Sequence, residues 1–128
     1  MSGLSQVPVK YMSDILVDTN VMVYCFDRKL DLRSLLDGFL QSKFTVFTLA
    51  KCIKELSSIK RNDVEKFFSS FGIKILDFDD GKTTDDTILN KCSSDGYILF
   101  TEDKALIKRA KAIGVKTVSF AGKTLKFS

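Results

Sequence analysis

The acidic residues Asp18, Glu55, Asp85, Asp86 and Asp103 are the side chains of this sequence best placed to do chemistry. Asp18 ends the apolar run Ile15-Leu16-Val17 and is followed by Thr19 and Asn20, small polar residues suited to opening a helix. Asp103 closes the stretch Thr101-Glu102-Asp103, which follows the apolar run Tyr97 to Phe100 in the same manner. Asp85 and Asp86 fall in what the pattern makes a first helical turn, and Glu55 borders an apolar helical stripe between Cys52 and Ile59. Carboxylates so placed can act as general acids and bases or as hard oxygen ligands for a cation. Each also has an ordinary structural job. Asp18 can cap a helix, Asp85 and Asp86 can answer a helix dipole, and Glu55 can pair with Lys51, Lys54 or Lys60 at the surface.

Periodicity predicts the elements that must position these acids. Ile15 to Val17 suits a strand buried on both faces, and Val21 to Phe26 continues as a helix. Asp31 opens a second helix, with Leu32, Leu35, Leu36, Phe39 and Leu40 on one face, ending near Lys43; Phe44 to Thr48 form the second strand. Leu49, Cys52, Ile53, Leu56 and Ile59 make a helical stripe, and Asn62 is expected to cap a helix bearing Val64, Phe67, Phe68 and Phe71, closed by Gly72. Ile73 to Phe78 read as the third strand and Asp79-Asp80-Gly81-Lys82 as a turn; the helix of Ile88, Leu89 and Cys92 ends before Gly96. Tyr97 to Phe100 is a buried strand, Ala105 to Ile113 a helix ended by Gly114, and Val115 to Phe120 the fifth strand; Ala121 to Ser128 either adds an edge strand or hangs free. Residues 1–13, with Gly3, Pro8 and no period, read as a tail, leaving 14–128 as the domain. Alternating strands and helices imply an α/β fold, a three-layer α/β/α sandwich around a parallel sheet with right-handed crossovers.

Composition narrows the chemistry. The 128 residues suffice for one domain with a real core, and 45% hydrophobic residues with a single proline describe a packed chain. No apolar run is long enough to span a bilayer, and Met1 to Lys10 lacks a secretory h-region, so a cytoplasmic protein with no membrane association is expected. Cys25, Cys52 and Cys92 are scattered among apolar residues and read as buried reduced thiols. The absence of histidine removes Ser-His-Asp and Cys-His catalysis and the common zinc sites. A net charge of +4 is compatible with a polyanionic partner.

In an open parallel sheet the carboxyl ends of the strands share one rim, and ligands bind there. Asp18 and Asp103 follow two strands at that rim, Asp85 and Asp86 begin a helix at the same level, and Glu55 lies within two turns of another helix start. Carboxylates so gathered repel one another unless a cation sits among them or their pKa values rise. The cation is the better reading, and with oxygen donors only, Mg²⁺ or Mn²⁺ suits the set.

Four stretches carry a resemblance: Asp18-Thr19-Asn20 after a buried strand, Glu55-Leu56 in an apolar helix, Asp85-Asp86-Thr87-Ile88-Leu89 opening a helix, and Thr101-Glu102-Asp103 after a strand. In this order, from about Asp14 to Phe120, they resemble the four acidic motifs of the PIN-domain ribonucleases. The resemblance implies a five-stranded parallel sheet in the order 3-2-1-4-5 and a Mg²⁺- or Mn²⁺-dependent endoribonuclease that cleaves single-stranded RNA with metal-activated water. It further implies that Asp18, Glu55, Asp85 and Asp103 hold the metal, Asn20 and Thr101 supporting them. Asp86 competes with Asp85 for the third acidic position; Asp85, three residues before Ile88, has the spacing the family favours. Asp-Asp-x-Ile-Leu followed by Thr-x-Asp is more similar to the archaeal and eukaryotic branch tied to ribosomal RNA processing than to the VapC toxins. Both roles stay open, as do a homodimer and an antitoxin or ribosome-assembly partner. Lys104, Lys108 and Lys111 form a basic stripe that either tracks RNA phosphates or is a solvated helix face. The competing reading is a catalytically weak scaffold of the same fold that binds RNA or protein, which retention of all four acids argues against. A phosphohydrolase would want Asp where Asn20 stands, and a receiver domain a lysine where Thr101 stands.

Overall fold

The computed structural model describes residues 12–128, and the first eleven residues of the expected tail lie outside that range. The chain runs β1 (Met12–Val17), α1 (Thr19–Asp27), α2 (Leu32–Leu40), β2 (Lys43–Leu49), α3 (Ala50–Ser58), α4 (Asn62–Ser69), β3 (Lys74–Leu76), α5 (Thr84–Asp95), β4 (Ile98–Phe100), α6 (Lys104–Ala112), β5 (Thr117–Ala121) and β6 (Thr124–Phe127). Met12 and Ser13, counted with the tail from sequence, pair with Lys43 and Phe44 as the start of β1.

The sheet order is β3-β2-β1-β4-β5-β6. Its first five strands are parallel in the expected 3-2-1-4-5 order, and β6 returns antiparallel to β5. The sheet therefore has six strands rather than five, the last residues forming the edge strand that the sequence left open. Gly122, at φ 63, supplies the left-handed backbone of the tight hairpin that turns β5 into β6. The crossovers leave β1 toward β2 and β4 toward β5, in opposite directions, so the topological switch lies between β1 and β4. Helices α1, α3 and α4 pack on one another, as do α5 and α6, giving the layers of the sandwich.

The central strands are buried as their apolar runs require. Ile15, Leu16 and Val17 of β1 and Leu99 and Phe100 of β4 are sealed from solvent. Edges are less regular. The third strand is three residues rather than the six of Ile73 to Phe78, because only Lys74 to Leu76 finds partners on β2, and Ile75 is exposed at that edge. Helix α2 ends at Leu40 rather than near Lys43, because Gln41 turns left-handed at φ 53. Asn62 is the first residue of α4 rather than its cap; Arg61 holds that place without a side-chain cap bond, its guanidinium engaged with Asp27 at 2.8 Å and Asp63 at 3.2 Å. Ile59, given to the apolar stripe of α3, lies just past the helix and is exposed. All three cysteines are buried free thiols.

Candidate active site

Register brings the first two acids together. Val17 pairs with Phe100 across β1 and β4, and the Asp18 N–H donates to the Phe100 carbonyl at 3.0 Å, so both strands release their polar residues at one level. The Thr101 hydroxyl, fully buried, donates to Asp18 Oδ2 at 2.9 Å and accepts the Asp103 N–H at 3.1 Å. Asp103 is the N-cap of α6, its Oδ1 accepting the N–H groups of Ala105 at 2.9 Å and Leu106 at 3.1 Å. Asn20 ties the same two junctions, accepting the Glu102 N–H at 3.3 Å.

The third acid arrives through a residue that was credited only with starting a helix. Thr19 donates its N–H to Asp18 Oδ1 at 2.7 Å and its hydroxyl to Glu55 Oε1 at 2.7 Å. It thereby holds α3 against the end of β1. Asp18, the N-cap of α1, is thus both a cap and a member of the acidic cluster. Cys52, one turn before Glu55, brings its Sγ within 4.8 Å of oxygens of Asp18 and Glu55. The expectation of an oxygen-only cluster is corrected here: a thiol stands in it, packed inward by the same stripe that carries Glu55 along the rim. Burial raises that thiol to about 11, so it stays protonated and is a poor ligand for a hard cation.

Electrostatics separates Asp85 from Asp86. Asp85 is held above the usual carboxylate range by burial first and then by the charge of Asp103, with Glu55 adding to it. Asp86 is held below that range by a hydrogen bond from Arg109 of α6. Asp85 therefore feels the cluster, and Asp86 belongs to an ion pair between α5 and α6. Asp18, only 7% exposed, is pushed up to about 6 by burial, against the lowering bonds of Thr101 and Thr19, with Asp85 and Glu55 contributing repulsion.

Among the described residues, the ion pairs join Lys51 to Asp79, Arg61 to Asp27 and Asp63, Lys91 to Asp95 and Arg109 to Asp86; none takes Asp18, Glu55, Asp85 or Asp103. Among the described residues the structure brings Asp18 and Glu55, with Cys52, within 4.8 Å of one another, while Asp85 is linked to Glu55 and Asp103 through charge alone; two carboxylates with no ion-paired cation fit a hard divalent ion of the Mg²⁺ or Mn²⁺ kind. Lys51, expected as a partner of Glu55, instead reaches Asp79 at 3.0 Å, the Lys82 carbonyl and the Thr87 hydroxyl. Lys104, Lys108 and Lys111 are exposed along α6, and Arg109 lies on another face of that helix, toward α5.

No family model matches the chain. Over 103 residues it is 30% identical to ribonuclease VapC9 of Archaeoglobus fulgidus, an alignment spanning 77% of this chain and 76% of that protein. The chain belongs to the PIN-domain ribonuclease family. The PIN fold is borne out by the solved structure of the PIN domain endonuclease Utp24, similar at a TM-score of 0.79 over 90% of both chains with 22% identity. Within this PIN domain no described helix is long and apolar enough to cross a membrane.

Thr19, Cys52, Arg109 and the anchoring role of Lys51 were missed from sequence. Thr19 follows Asp18 directly, which was a usable signal. Cys52 carried a partial signal, standing three residues before Glu55, but its approach to Asp18 and the contact of Arg109 with Asp86 join residues more than twenty positions apart and left no local mark.

Proposed function

We propose that this PIN domain is a divalent-cation-dependent endoribonuclease that cleaves single-stranded RNA, with Asp18, Glu55, Asp85 and Asp103 holding the ion. The observation that supports the reading is that Asp18 and Glu55 lie together at the switch point, Asp103 is tied to Asp18 through Thr101 and Asp85 feels the charges of Asp103 and Glu55, with no described ion pair taking any of the four. A bound Mg²⁺ or Mn²⁺ supplies Lewis acidity toward an attacking water and toward the phosphoryl oxygens. The chain's own residues fix the geometry. Thr101 and the Thr19 N–H orient the two oxygens of Asp18, the Thr19 hydroxyl orients Glu55, and the start of α6 orients Asp103. Burial of Asp18 keeps bulk water from the inner side of the site. No protein nucleophile is required, in keeping with a chain that has no histidine.

Ribosomal RNA processing is the role that the Asp85-Asp86-x-Ile88-Leu89 and Thr101-x-Asp103 patterns favour, with toxin-like cleavage of other transcripts as the alternative. The test is incubation of purified protein with labelled single-stranded RNA in Mg²⁺, Mn²⁺ or EDTA. Internal cleavage that needs the cation and is lost in Asp18→Asn supports the proposal. Cleavage that persists in EDTA, or no cleavage at all, overturns it.

A further inference from the structure

Resting on the ribonuclease reading, we infer that the substrate strand leaves the acidic site along a groove between α3 and the loop before α5, with Lys54 as its phosphate contact. The groove has a volume of about 330 Å³ and is lined by Lys51, Lys54, Glu55, Ser58, Asp79 and Thr84. That volume is at the lower end of ligand clefts, roughly 300–1,000 Å³. Glu55 is at once a wall of the groove and a member of the acidic cluster, so the groove opens directly from the site.

Lys51, Lys54, Glu55 and Ser58 stand at i, i+3, i+4 and i+7 on α3 and therefore share one helix face. Their charges are used differently. Lys51 is mostly covered and spent on Asp79, the Lys82 carbonyl and Thr87, which pins the loop that forms the opposite wall. Asp80, between Asp79 and Lys82, ties the same loop to α5 by accepting from Thr87 at 2.5 Å and Asn90 at 2.8 Å. A wall held from α3 by Lys51 and from α5 by Thr87 and Asn90 is preorganised, so less loop entropy is lost when a ligand enters. Lys54 is exposed and makes no described ion pair. An exposed ammonium beside a fixed groove, one residue from Glu55, suits a phosphate that moves past. Thr84 adds a hydroxyl donor for ribose or phosphate oxygens, while Ser58 donates to the Glu55 carbonyl at 2.8 Å and offers its oxygen as an acceptor for a ribose hydroxyl.

The test uses a mixed-sequence single-stranded RNA carrying a fluorescent label. Wild-type protein is first assayed for cation-dependent cleavage. Binding is then measured by anisotropy in the Asp18→Asn background, so that the strand survives, with and without Lys54→Gln, across a salt series. Loss of one phosphate contact should lower the salt slope by about 0.7 and weaken binding about fivefold at 0.1 M salt. In parallel, 4-thiouridine crosslinks should map to α3 peptides containing Lys54 and Ser58. Unchanged affinity and slope, with crosslinks confined to the α6 lysines, overturn the groove assignment and leave the ribonuclease reading standing. Failure of the wild-type protein to bind or cleave RNA sinks both.

Discussion

Of two pairs of adjacent aspartates, Asp79-Asp80 before α5 and Asp85-Asp86 in its first turn, three members share one fate and Asp85 meets the opposite one. Asp80 accepts hydrogen bonds from Thr87 and Asn90 and is pushed down to about 2; Asp79 is lowered by the Gly81 N–H and then by Lys51. Asp86 is lowered by Arg109. Asp85, with burial and the charge of Asp103 acting on it, goes the other way, as does Asp18. The difference lies in partners rather than residue type. At Asp79, Asp80 and Asp86 hydrogen bonds and cations outweigh burial, whereas at Asp18 burial and neighbouring acids outweigh the bonds from Thr19 and Thr101, which leaves a carboxylate that a cation would relieve. Destabilised acids in a cleft are the signature of a site, and stabilised acids around it are the frame.

The sharpest way to break this comparison is to neutralise one acid from each class. Asp18→Asn and Asp85→Asn should each lose metal-dependent RNA cleavage by orders of magnitude while the far-ultraviolet circular dichroism spectrum stays that of the folded protein. Asp80→Asn, which keeps its shape and an acceptor oxygen, should retain cleavage. If Asp18→Asn cleaved RNA at the wild-type rate, burial and repulsion would have been misread as a sign of function.

A second measurement uses pH. The folded-state pKa of Asp18, about 6, lies above the ordinary aspartate value of 3.8, so without a metal the folded protein holds this proton more tightly than the unfolded chain does. Its contribution to stability is fully present below about pH 4 and is lost as pH rises through about 6. By linkage the loss is about 3 kcal/mol. In EDTA, the stability of Asp18→Asn relative to wild type should therefore rise by about that amount between pH 4 and 7, in urea unfolding. Mg²⁺ should narrow the gap at neutral pH. A pH-independent gap would mean that water reaches Asp18 freely.

Lys51 probes the frame. Its side chain is only 14% exposed and meets three oxygen acceptors. Lys51→Met keeps the length and removes every donor, so it should cost about 1–3 kcal/mol in unfolding free energy. A change below the error of a urea titration would leave Asp80, Thr87 and Asn90 as sufficient anchors of the loop.

How much of this was legible in the sequence follows the range of the interactions. The apolar run Ile15 to Val17 ending on Asp18, and the matching end of β4 at Thr101, are local patterns; they revealed the strands, the helices and the two acids that follow them. The pairing of Val17 with Phe100 spans most of the chain and has no local mark, so convergence of those acids rested on the general geometry of parallel sheets. Strand β3 was overextended because Ile73 to Phe78 have strand-like side chains, yet the length of an edge strand is set by what its neighbour offers. Cys52 was read as core, which is right for its burial and silent about the carboxylates beside it. Choosing between Asp85 and Asp86 required Arg109, a partner on another helix.

That choice supplies the smallest expected effect. Successive helical residues point about 100° apart, so Asp85 and Asp86 cannot serve one ion equally. The structure turns Asp86 toward Arg109, in a pair whose side chains are 39% and 50% exposed. Surface pairs of this kind contribute roughly 0.2–1 kcal/mol, and the first-turn dipole adds a few tenths. Asp86→Asn should therefore lower stability by less than about 1 kcal/mol and leave cleavage within a few-fold of wild type. Released from Asp86, Arg109 stays near enough to Asp85 to keep lowering its pKa, which limits the consequence for the site. If Asp86→Asn abolished cleavage while Asp85→Asn did not, the ligand would move to Asp86 and the mechanism would survive. If both single variants cleaved at full rate, the site would be short of its third acid, and the four-carboxylate arrangement would have to be abandoned.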